Sequence, residues 1–220
     1  MGLAPEVDVI IPVGGTTKYL HPAIASARSQ VGVRTNLIVV DARGSGGGHP
    51  LDIPDDAALV ESPVRLFAGA ARNAGFDHGS AKLVSFLDAD DLWPPSRTGA
   101  LVKALGDSQT AMSVGKLDIL REEQGTETLV GPPVGSPALF AGGMLLSRQL
   151  AEEIGPFDEE LRAGEFVDWM ARAQALGVET VEVDTISLIR RIHRESSSVA
   201  DADSRKDFLK AVKKWMNNKP

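Results

Sequence analysis

The chain contains no cysteine, which excludes a disulfide framework and any metal site built from thiolates. It also lacks an apolar run approaching the roughly 20 residues that a membrane-spanning helix needs. The first residues, MGLAPEVDVIIPV, have neither the basic start nor the small-residue cleavage site of a secretion signal. Together these absences predict a cytoplasmic protein with no transmembrane segment.

Basic residues are outnumbered, because 23 Lys and Arg stand against 30 Asp and Glu and give a formal net charge of −7. Sequence-independent binding to nucleic acid depends on clustered cations, so we expect no nucleic-acid partner. Residues 205–219 are an exception, with six cations, one acid and apolar residues at helical spacing. The segment 201–220 is therefore predicted to be an amphipathic basic helix. It either packs on the body of the protein or docks on a membrane surface or an acceptor.

Short β-branched runs alternate with helical patterns through the first half of the chain. Residues 7–13 (VDVIIPV) and 36–41 (NLIVVD) are predicted to be buried strands, and 82–87 forms another that leads into an acidic cluster. This alternation predicts an α/β fold with a Rossmann-type, mostly parallel central sheet flanked by helices. In such sheets ligands bind at the carboxyl ends of the strands. Asp41 and the acids from Asp88 onward lie at such ends.

The second half is less regular and predicts a smaller antiparallel part. Residues 111–120 and 127–130 are expected to pair around a turn, and 131–137, with three prolines, to form a loop. The remaining predicted elements are strands at 140–146, 178–183 and 187–192 and helices at 149–154 and 165–175. Residues 1–200 are expected to form one domain, with a nucleotide-binding half over about 1–95 and an acceptor half over about 96–200.

The acids of FLDADD (86–91) have the spacing of a metal site. In extended chain, Asp88 and Asp90 lie on one face because side chains alternate with period two. Carboxylates on one face suit Mg²⁺ or Mn²⁺, which prefer oxygen ligands and keep positions open for a diphosphate. The alternative is a strand-end cap, in which Asp90 or Asp91 accepts hydrogen bonds from the turn before Trp93. Spacing leaves both interpretations open.

Six stretches occur in order between residues 7 and 193: VDVIIPV, LIVVDARGSG, ARNAGFDHGSAKLVSFLDADD, GPFDEEL, GEFVDWMARA and RRIH. Together they resemble the family 2 glycosyltransferases of the GT-A fold, and the third stretch is the most specific. The resemblance implies transfer of a sugar from a nucleoside-diphosphate sugar to an acceptor hydroxyl, with inversion. It also implies Mn²⁺ or Mg²⁺ as the cofactor.

The same resemblance implies roles for the acidic stretch. Asp88 would lie near the ribose or sugar of the donor, with Ala89 beside it in the donor-binding surface. Asp90 would hold the metal and Asp91 would support it. His193 would complete the metal shell or contact the diphosphate, although a lone histidine is more often structural.

Further donor-binding residues are implied at other strand ends and on the following helix. Pro12 and Val13 end the first strand, where similar enzymes begin their nucleoside pocket. Asp41 would reach the base or ribose, and Arg72 would bond Asp41 or the diphosphate. Asn73 would close the nucleotide side beside it.

The chain departs from the family pattern at two of these places. The position of the usual second acid after Asp41 is Ala42 here, and Gly46-Gly47 replace a Thr-Asp pair, so the identity of the nucleotide base is left open.

Arg191, near the end of the last predicted strand, would join His193 at the diphosphate. Residues 195–200, which include three consecutive serines, are predicted to be a loop that folds over the bound donor.

A carboxylate must take the proton of the acceptor hydroxyl during an inverting transfer. The position of the usual family base is Phe166 here, which leaves Glu165 and Asp168 as candidates. They lie three apart in the first turn of a helix and thus on one face. Without chemistry they would simply complete the helix N-terminus. Trp169 either floors a sugar or acceptor ring or belongs to the core.

Gly142, Gly143 and Asp158 are the remaining residues expected to line the sugar and acceptor pocket. The acceptor is expected to be a protein side chain, a small molecule or a lipid-linked sugar. Two other functions stay open. A sugar nucleotidyltransferase would release pyrophosphate, and a non-catalytic nucleotide- or partner-binding protein would turn over no donor.

Overall fold

The computed structural model describes residues 4–123, 125–130, 136–193 and 202–217. It contains eight strands and six α-helices in these ranges, plus a short 3₁₀ turn at Ala141–Gly143. The strands are β1 Glu6–Val13, β2 Arg34–Asp41, β3 Ala58–Glu61, β4 Leu83–Phe86, β5 Ala111–Glu123, β6 Thr126–Leu129, β7 Met144–Ser147 and β8 Glu179–Ile192. The helices are α1 Leu20–Arg28, α2 Ala68–His78, α3 Arg97–Leu105, α4 Arg148–Ile154, α5 Glu165–Ala175 and α6 Ala202–Asn217.

One mixed sheet runs through the molecule in the order β3-β2-β1-β4-β7-β5-β6, with β8 paired to β5. Strands β1 to β4 are parallel to one another, which confirms the parallel half that the sequence predicts. From β7 onward the sheet becomes mixed, because β7 is antiparallel to both β4 and β5. The predicted hairpin is also present, since β6 pairs antiparallel with the end of β5.

Successive side chains of β1 point to opposite faces of the sheet, and they are buried on both faces. Val7, Val9, Ile11 and Val13 pack with α1 and α3 on one face. Ile10 packs on the other face, with residues of α2, α4 and α5. Each fully buried Val or Ile side chain stabilises the fold by about 2 kcal/mol relative to leaving it exposed. A strand that is apolar on both faces, such as β1, therefore lies in the middle of the sheet with helices packed on each side.

Two strand predictions are corrected. The separate strands expected at 178–183 and 187–192 form the single strand β8, which runs parallel to β5 and has irregular pairing around Lys116. The strand expected at 140–146 begins only at Met144, because Ala141–Gly143 forms the 3₁₀ turn. Part of the loop predicted at 131–137 and all of the loop predicted at 195–200 lie outside the described residues.

The end of β8 is joined to the turn that follows β4. Leu92 and Ile189 exchange backbone hydrogen bonds of 3.0 and 2.9 Å. This bridge brings the carboxyl ends of β1, β2 and β4 together with the end of β8 at one edge of the molecule.

The basic helix predicted over 201–220 is α6. It packs on α5 and buries Ser204 and Ala211, while other side chains of the helix stay exposed. Among the described residues, no helix is both long and apolar enough to cross a membrane.

Candidate active site

The turn after β4 carries the acidic cluster. The backbone amide of Asp91 donates to the carbonyl of Asp88 at 3.0 Å, which closes a tight turn. The Asp91 carboxylate is buried and accepts a 2.8 Å hydrogen bond from the backbone amide of Arg191. Burial, reinforced by the charges of Asp88 and Asp90, holds the pKa of Asp91 well above its usual value. The turn-capping interpretation therefore describes Asp91 better than direct metal binding.

Asp90 lies beside His193. The Oδ2 atom of Asp90 is 3.1 Å from Nε2 of His193, and the Asp90 side chain is about one-third exposed. Burial and the charge of Asp88 raise the pKa of Asp90, and the hydrogen bond with His193 opposes that rise. These two side chains are the described pair best placed to hold a divalent cation.

Arg191 holds the turn that carries the acidic cluster in place. Its Nε donates to the carbonyl of Asp90 at 2.9 Å, and its Nη1 forms a salt bridge with Glu127 of β6. The guanidinium also lies 4.5 Å from the ring centroid of Tyr19. These contacts correct the expectation that Arg191 reaches the diphosphate. Its side chain is almost fully buried and positions the acidic turn instead.

Tyr19 is a functional candidate that sequence reasoning missed. Its ring centroid lies 4.7 Å from that of His193. Its hydroxyl donates to Glu122 at 2.6 Å, and the Lys18 ammonium also contacts Glu122 at 2.6 Å. Hydrogen bonds from Lys18 and Tyr19 lower the pKa of Glu122. The residues at 18–19 and at 122 are about a hundred positions apart, so only the folded chain reveals the cluster.

Arg72 of α2 connects the acidic turn to α5. Its Nη2 atom is 2.6 Å from Asp88, and its Nη1 atom is 2.5 Å from Glu165. Burial of the guanidinium favours the neutral form, but the charges of Asp88 and Glu165 outweigh it and raise the pKa of Arg72. The buried Nε atom of Arg72 finds no acceptor within the described part of the chain. Arg72 does not bond Asp41, which was one of its two expected partners.

Asp168 and Glu165 share the first turn of α5 but have different surroundings. Asp168 accepts a 3.1 Å hydrogen bond from Arg172, which also donates to the carbonyls of Ile154 and Pro156. Asp168 thus belongs to the contact between α5 and the end of α4. Glu165 is directed to Arg72 and the acidic turn.

Trp169 lies in the core and not in a pocket. It is 2% exposed, and its indole N–H donates to the carbonyl of Gly155 at 3.0 Å. Its ring stacks with those of Phe157 and Phe166. This packing corrects the expectation of a sugar-binding floor and also explains Phe166, which extends the same aromatic stack.

Three other expected pocket residues also have structural surroundings. Gly142 and Gly143 are buried, and the Gly142 carbonyl accepts hydrogen bonds from Trp93 and Arg97. A Cβ on either glycine would meet Leu188 or Ala138 closely, so they allow dense packing. Asp158 is exposed and accepts a 3.0 Å hydrogen bond from the amide of Glu160 in a turn.

Asn73 and Asp41 are likewise bound within the protein. The Asn73 side chain exchanges hydrogen bonds of 2.9 Å with both the amide and the carbonyl of Phe157. This corrects its expected role at the nucleotide. Asp41 forms a salt bridge of 2.6 Å with Arg43, whose hydrogen bonds lower the pKa of Asp41 although partial burial opposes them. Asn73 thus joins α2 to the segment after α4, whereas Asp41 shapes the end of β2.

The remaining donor-side residues lie at the carboxyl edge. Val13 is buried and pairs with Asp41, Pro12 is partly buried, and Ala89 is partly buried against the core. Ala42 is buried, and its amide donates to the carbonyl of Val13 at 3.0 Å. An acid at this position would therefore be buried next to the strand end.

Acids, an arginine and a histidine thus converge where the strands of an open α/β sheet end, which is the usual place of a ligand site in this class of protein. The sequence profile described as Glycosyl transferase family 2 matches residues 8–144, more than half of the 220 residues. The chain belongs to this family.

Relatives that match the chain carry related names. The succinoglycan biosynthesis protein ExoO of Rhizobium meliloti (strain 1021) is 27% identical over 201 residues, covering 79% of this chain and 57% of ExoO. Glycosyltransferase GlyA of Streptococcus pneumoniae serotype 4 is 26% identical over 124 residues, covering 54% of this chain and 18% of GlyA. The chain thus spans little more than half the length of ExoO.

Solved structures confirm the GT-A fold. Residues 1–349 of S. aureus TarS in complex with UDP-GlcNAc align with a TM-score of 0.74 and 15% identity, over 97% of this chain and 66% of that chain. The same TarS fragment in complex with UDP aligns with a TM-score of 0.70 and 14% identity, over 97% and 65%.

Proposed function

We propose that the protein transfers a sugar from a nucleoside-diphosphate sugar to an acceptor hydroxyl, with inversion at the anomeric carbon. The observation that carries this proposal is the double salt bridge of Arg72. One guanidinium joins Asp88, on the expected donor side, to Glu165, the expected base. The two carboxylates therefore share one arginine, although they lie far apart in sequence, and this supports a common site.

Glu165 is the better candidate for the base. Both carboxylates accept a hydrogen bond from an arginine. The partner of Glu165 is Arg72, which also contacts Asp88 of the acidic turn, whereas the arginine at Asp168 contacts the end of α4. In the proposed reaction, the acceptor oxygen forms a bond to the anomeric carbon from the face opposite the diphosphate. The bond from that carbon to the diphosphate oxygen breaks, and the acceptor proton passes to Glu165. The leaving group departs as a nucleoside diphosphate.

Asp90 and His193 would hold Mn²⁺ or Mg²⁺. Carboxylate and imidazole suit these ions, and the described residues contain no group of three or more His, Cys, Asp or Glu arranged for a metal. A site with two protein ligands fits an ion that takes its other ligands from water and phosphate. When bound, the ion would neutralise charge on the diphosphate.

A uridine nucleotide is the first donor to test. The TarS structures contain UDP-GlcNAc and UDP, and they share the fold of this chain. On the nucleoside side, this chain departs from the usual family pattern at the buried Ala42 and at the glycine-rich loop that follows it. We therefore propose UDP-GlcNAc as the first donor and treat other bases as outcomes of the test.

The test measures UDP released from UDP-GlcNAc with and without Mn²⁺, together with thermal stabilisation by UDP. Asp90→Asn is expected to abolish the stabilisation that depends on Mn²⁺. Glu165→Gln is expected to keep that stabilisation and lower turnover by about 10²-fold or more. The matched controls are Asp107→Asn and Glu152→Gln, because both carboxylates are exposed and neither is among the residues proposed for the site.

Each outcome has a defined meaning. Stabilisation by another nucleoside diphosphate and Mn²⁺ would support the transferase with a different base. Stabilisation without turnover of any donor would favour a non-catalytic nucleotide-binding protein, which the position of Phe166 in the aromatic stack also favours. Release of pyrophosphate would identify a nucleotidyltransferase. No stabilisation by any nucleotide, with or without metal, would refute the proposal.

A further inference from the structure

The charges of α6 are divided between two sides. Its two acids both contact Arg162, although the Asp203 side chain is 57% exposed. The Asp203 carboxylate is 3.4 Å from Nη1 of Arg162, and Asp207 accepts a 3.5 Å hydrogen bond from the Arg162 amide. The described cations of the helix are exposed, and two of them also make surface contacts with the acids. They are Arg205, Lys206, Lys210 and Lys213.

Apolar side chains lie among these cations. Leu209 is 65% exposed and Met216 is 63% exposed, whereas Ser204 and Ala211 are buried against the body. Leu209 and Met216 are seven residues apart, which places them on the same side of a helix. We call the surface formed by Leu209, Met216 and the four cations the outer face of α6. Apolar residues flanked by Lys and Arg are typical of helices that lie in a membrane interface.

The outer face is close to the proposed catalytic helix. Gly164, which precedes α5 with a φ of +86°, lies directly against Phe208 and Ala211 of α6. A Cβ at Gly164 would come 3.0 Å from Cα of Phe208, so the two segments are in close contact. The next residue is Glu165. Any surface that binds the outer face is therefore one helix away from the proposed base.

We propose that the outer face of α6 docks on an anionic lipid surface and that the acceptor is consequently a lipid-linked molecule. Charge complementarity selects this occupant. The chain has a net charge of −7, so an anionic membrane repels the protein as a whole and attracts this face. Docking therefore brings the N-terminus of α5 to within one helix of the lipid headgroups. The identity of the acceptor rests on the proposed function, whereas docking does not.

The test is cosedimentation with vesicles in the absence of any donor. Vesicles of phosphatidylcholine and phosphatidylglycerol in equal parts are compared with phosphatidylcholine alone. Binding is expected only to the anionic vesicles and is expected to weaken as sodium chloride is raised. Lys206→Gln with Lys213→Gln is expected to lower the partition coefficient about thirtyfold. Leu209→Ser keeps the charge and is expected to lower it about tenfold.

Lys82→Gln with Lys103→Gln is the matched control, since both lysines are exposed outside α6 and the charge change is equal. Binding that survives in the control and is lost in the α6 variants supports the proposal. No binding to anionic vesicles, or equal losses in both double variants, overturns it. Preference for a double-stranded RNA probe over vesicles also overturns it. A protein that binds vesicles but turns over no donor retains docking and loses only the proposed function.

Discussion

The ring of Tyr19 lies 4.7 Å from the ring of His193, and its hydroxyl is fixed by Glu122. Since His193 also contacts Asp90, the Tyr19 ring limits the orientations open to the imidazole. Tyr19→Ala is therefore expected to weaken Mn²⁺ binding by roughly 10- to 100-fold, as for other groups that orient metal ligands.

Isothermal titration of Mn²⁺ into the protein with UDP present measures this effect. Tyr19→Phe is the matched variant, because it keeps the ring against His193 and removes only the hydrogen bonds of the hydroxyl with Glu122 and Lys18. It is expected to retain most of the affinity. Equal losses in the two variants would show that the ring does not orient His193.

Removal of Arg72 leaves two carboxylates without their shared partner. Its side chain is 4% exposed, so the pair with Glu165 is buried. Arg72→Met is expected to lower the free energy of unfolding by about 3 kcal/mol, measured in urea. Arg28→Met is the control, because Arg28 forms an exposed pair with Asp56 that contributes roughly 0 to 1 kcal/mol.

Partial recovery is expected when Arg72→Met is combined with Glu165→Gln, since the change removes one uncompensated charge. An Arg72→Met protein as stable as the Arg28→Met protein would contradict a buried bridge.

The Asp41–Arg43 pair predicts a pH dependence of stability. Its hydrogen bonds lower the pKa of Asp41 in the folded state. The resulting stabilisation is present above the ordinary pKa of about 3.9 and is lost as pH falls through the lowered folded value. Asp41→Asn is therefore expected to lose less stability than the unmodified protein on acidification below roughly pH 4. Urea unfolding at successive pH values checks this, and identical slopes would rule out the pair as a source.

Asn73 should affect stability more than nucleotide binding. Its amide satisfies both the N–H and the carbonyl of Phe157, so Asn73→Ala leaves two buried backbone groups unpaired. The expected loss is about 2 to 3 kcal/mol of unfolding free energy. At a temperature where the variant stays folded, the Kd for UDP with Mn²⁺ is expected to stay within about twofold. A large change in Kd without a change in stability would show that Asn73 acts in donor binding.

The parallel half of the fold could be predicted because its signals are local. Runs such as VDVIIPV are apolar on both faces, and the acids after Phe86 mark a strand end. The roles of Asn73, Arg191 and Trp169 could not be predicted, because each depends on a partner brought close only by the tertiary fold. Arg97 shows the same limit. It is fully buried, no carboxylate pairs with it in the part of the chain that the structure describes, and it donates to the carbonyls of Gly142, Met144 and Ser187.

The cause of that limit is physical. Hydrophobic periodicity reports which face of a strand or helix is buried, but it carries no information on which distant side chain lies opposite. Arg72 and Glu165 are 93 positions apart, and Tyr19 and Glu122 are 103 apart. The family resemblance supplies Arg72 and Glu165 but neither Tyr19 nor Glu122, and only the structure supplies the two contacts.

The irregular pairing of β8 decides which side chains reach Asp90. Between Val114 and Leu117 β5 advances three residues, whereas β8 advances six, from Glu182 to Leu188. Side chains of a strand alternate, so an odd surplus reverses the parity of every later residue. His193, which contacts Asp90, comes after this irregularity in the chain, so its orientation depends on the reversal. A relative that gained or lost two residues there would keep a histidine facing the acids, whereas a change of one would turn it away.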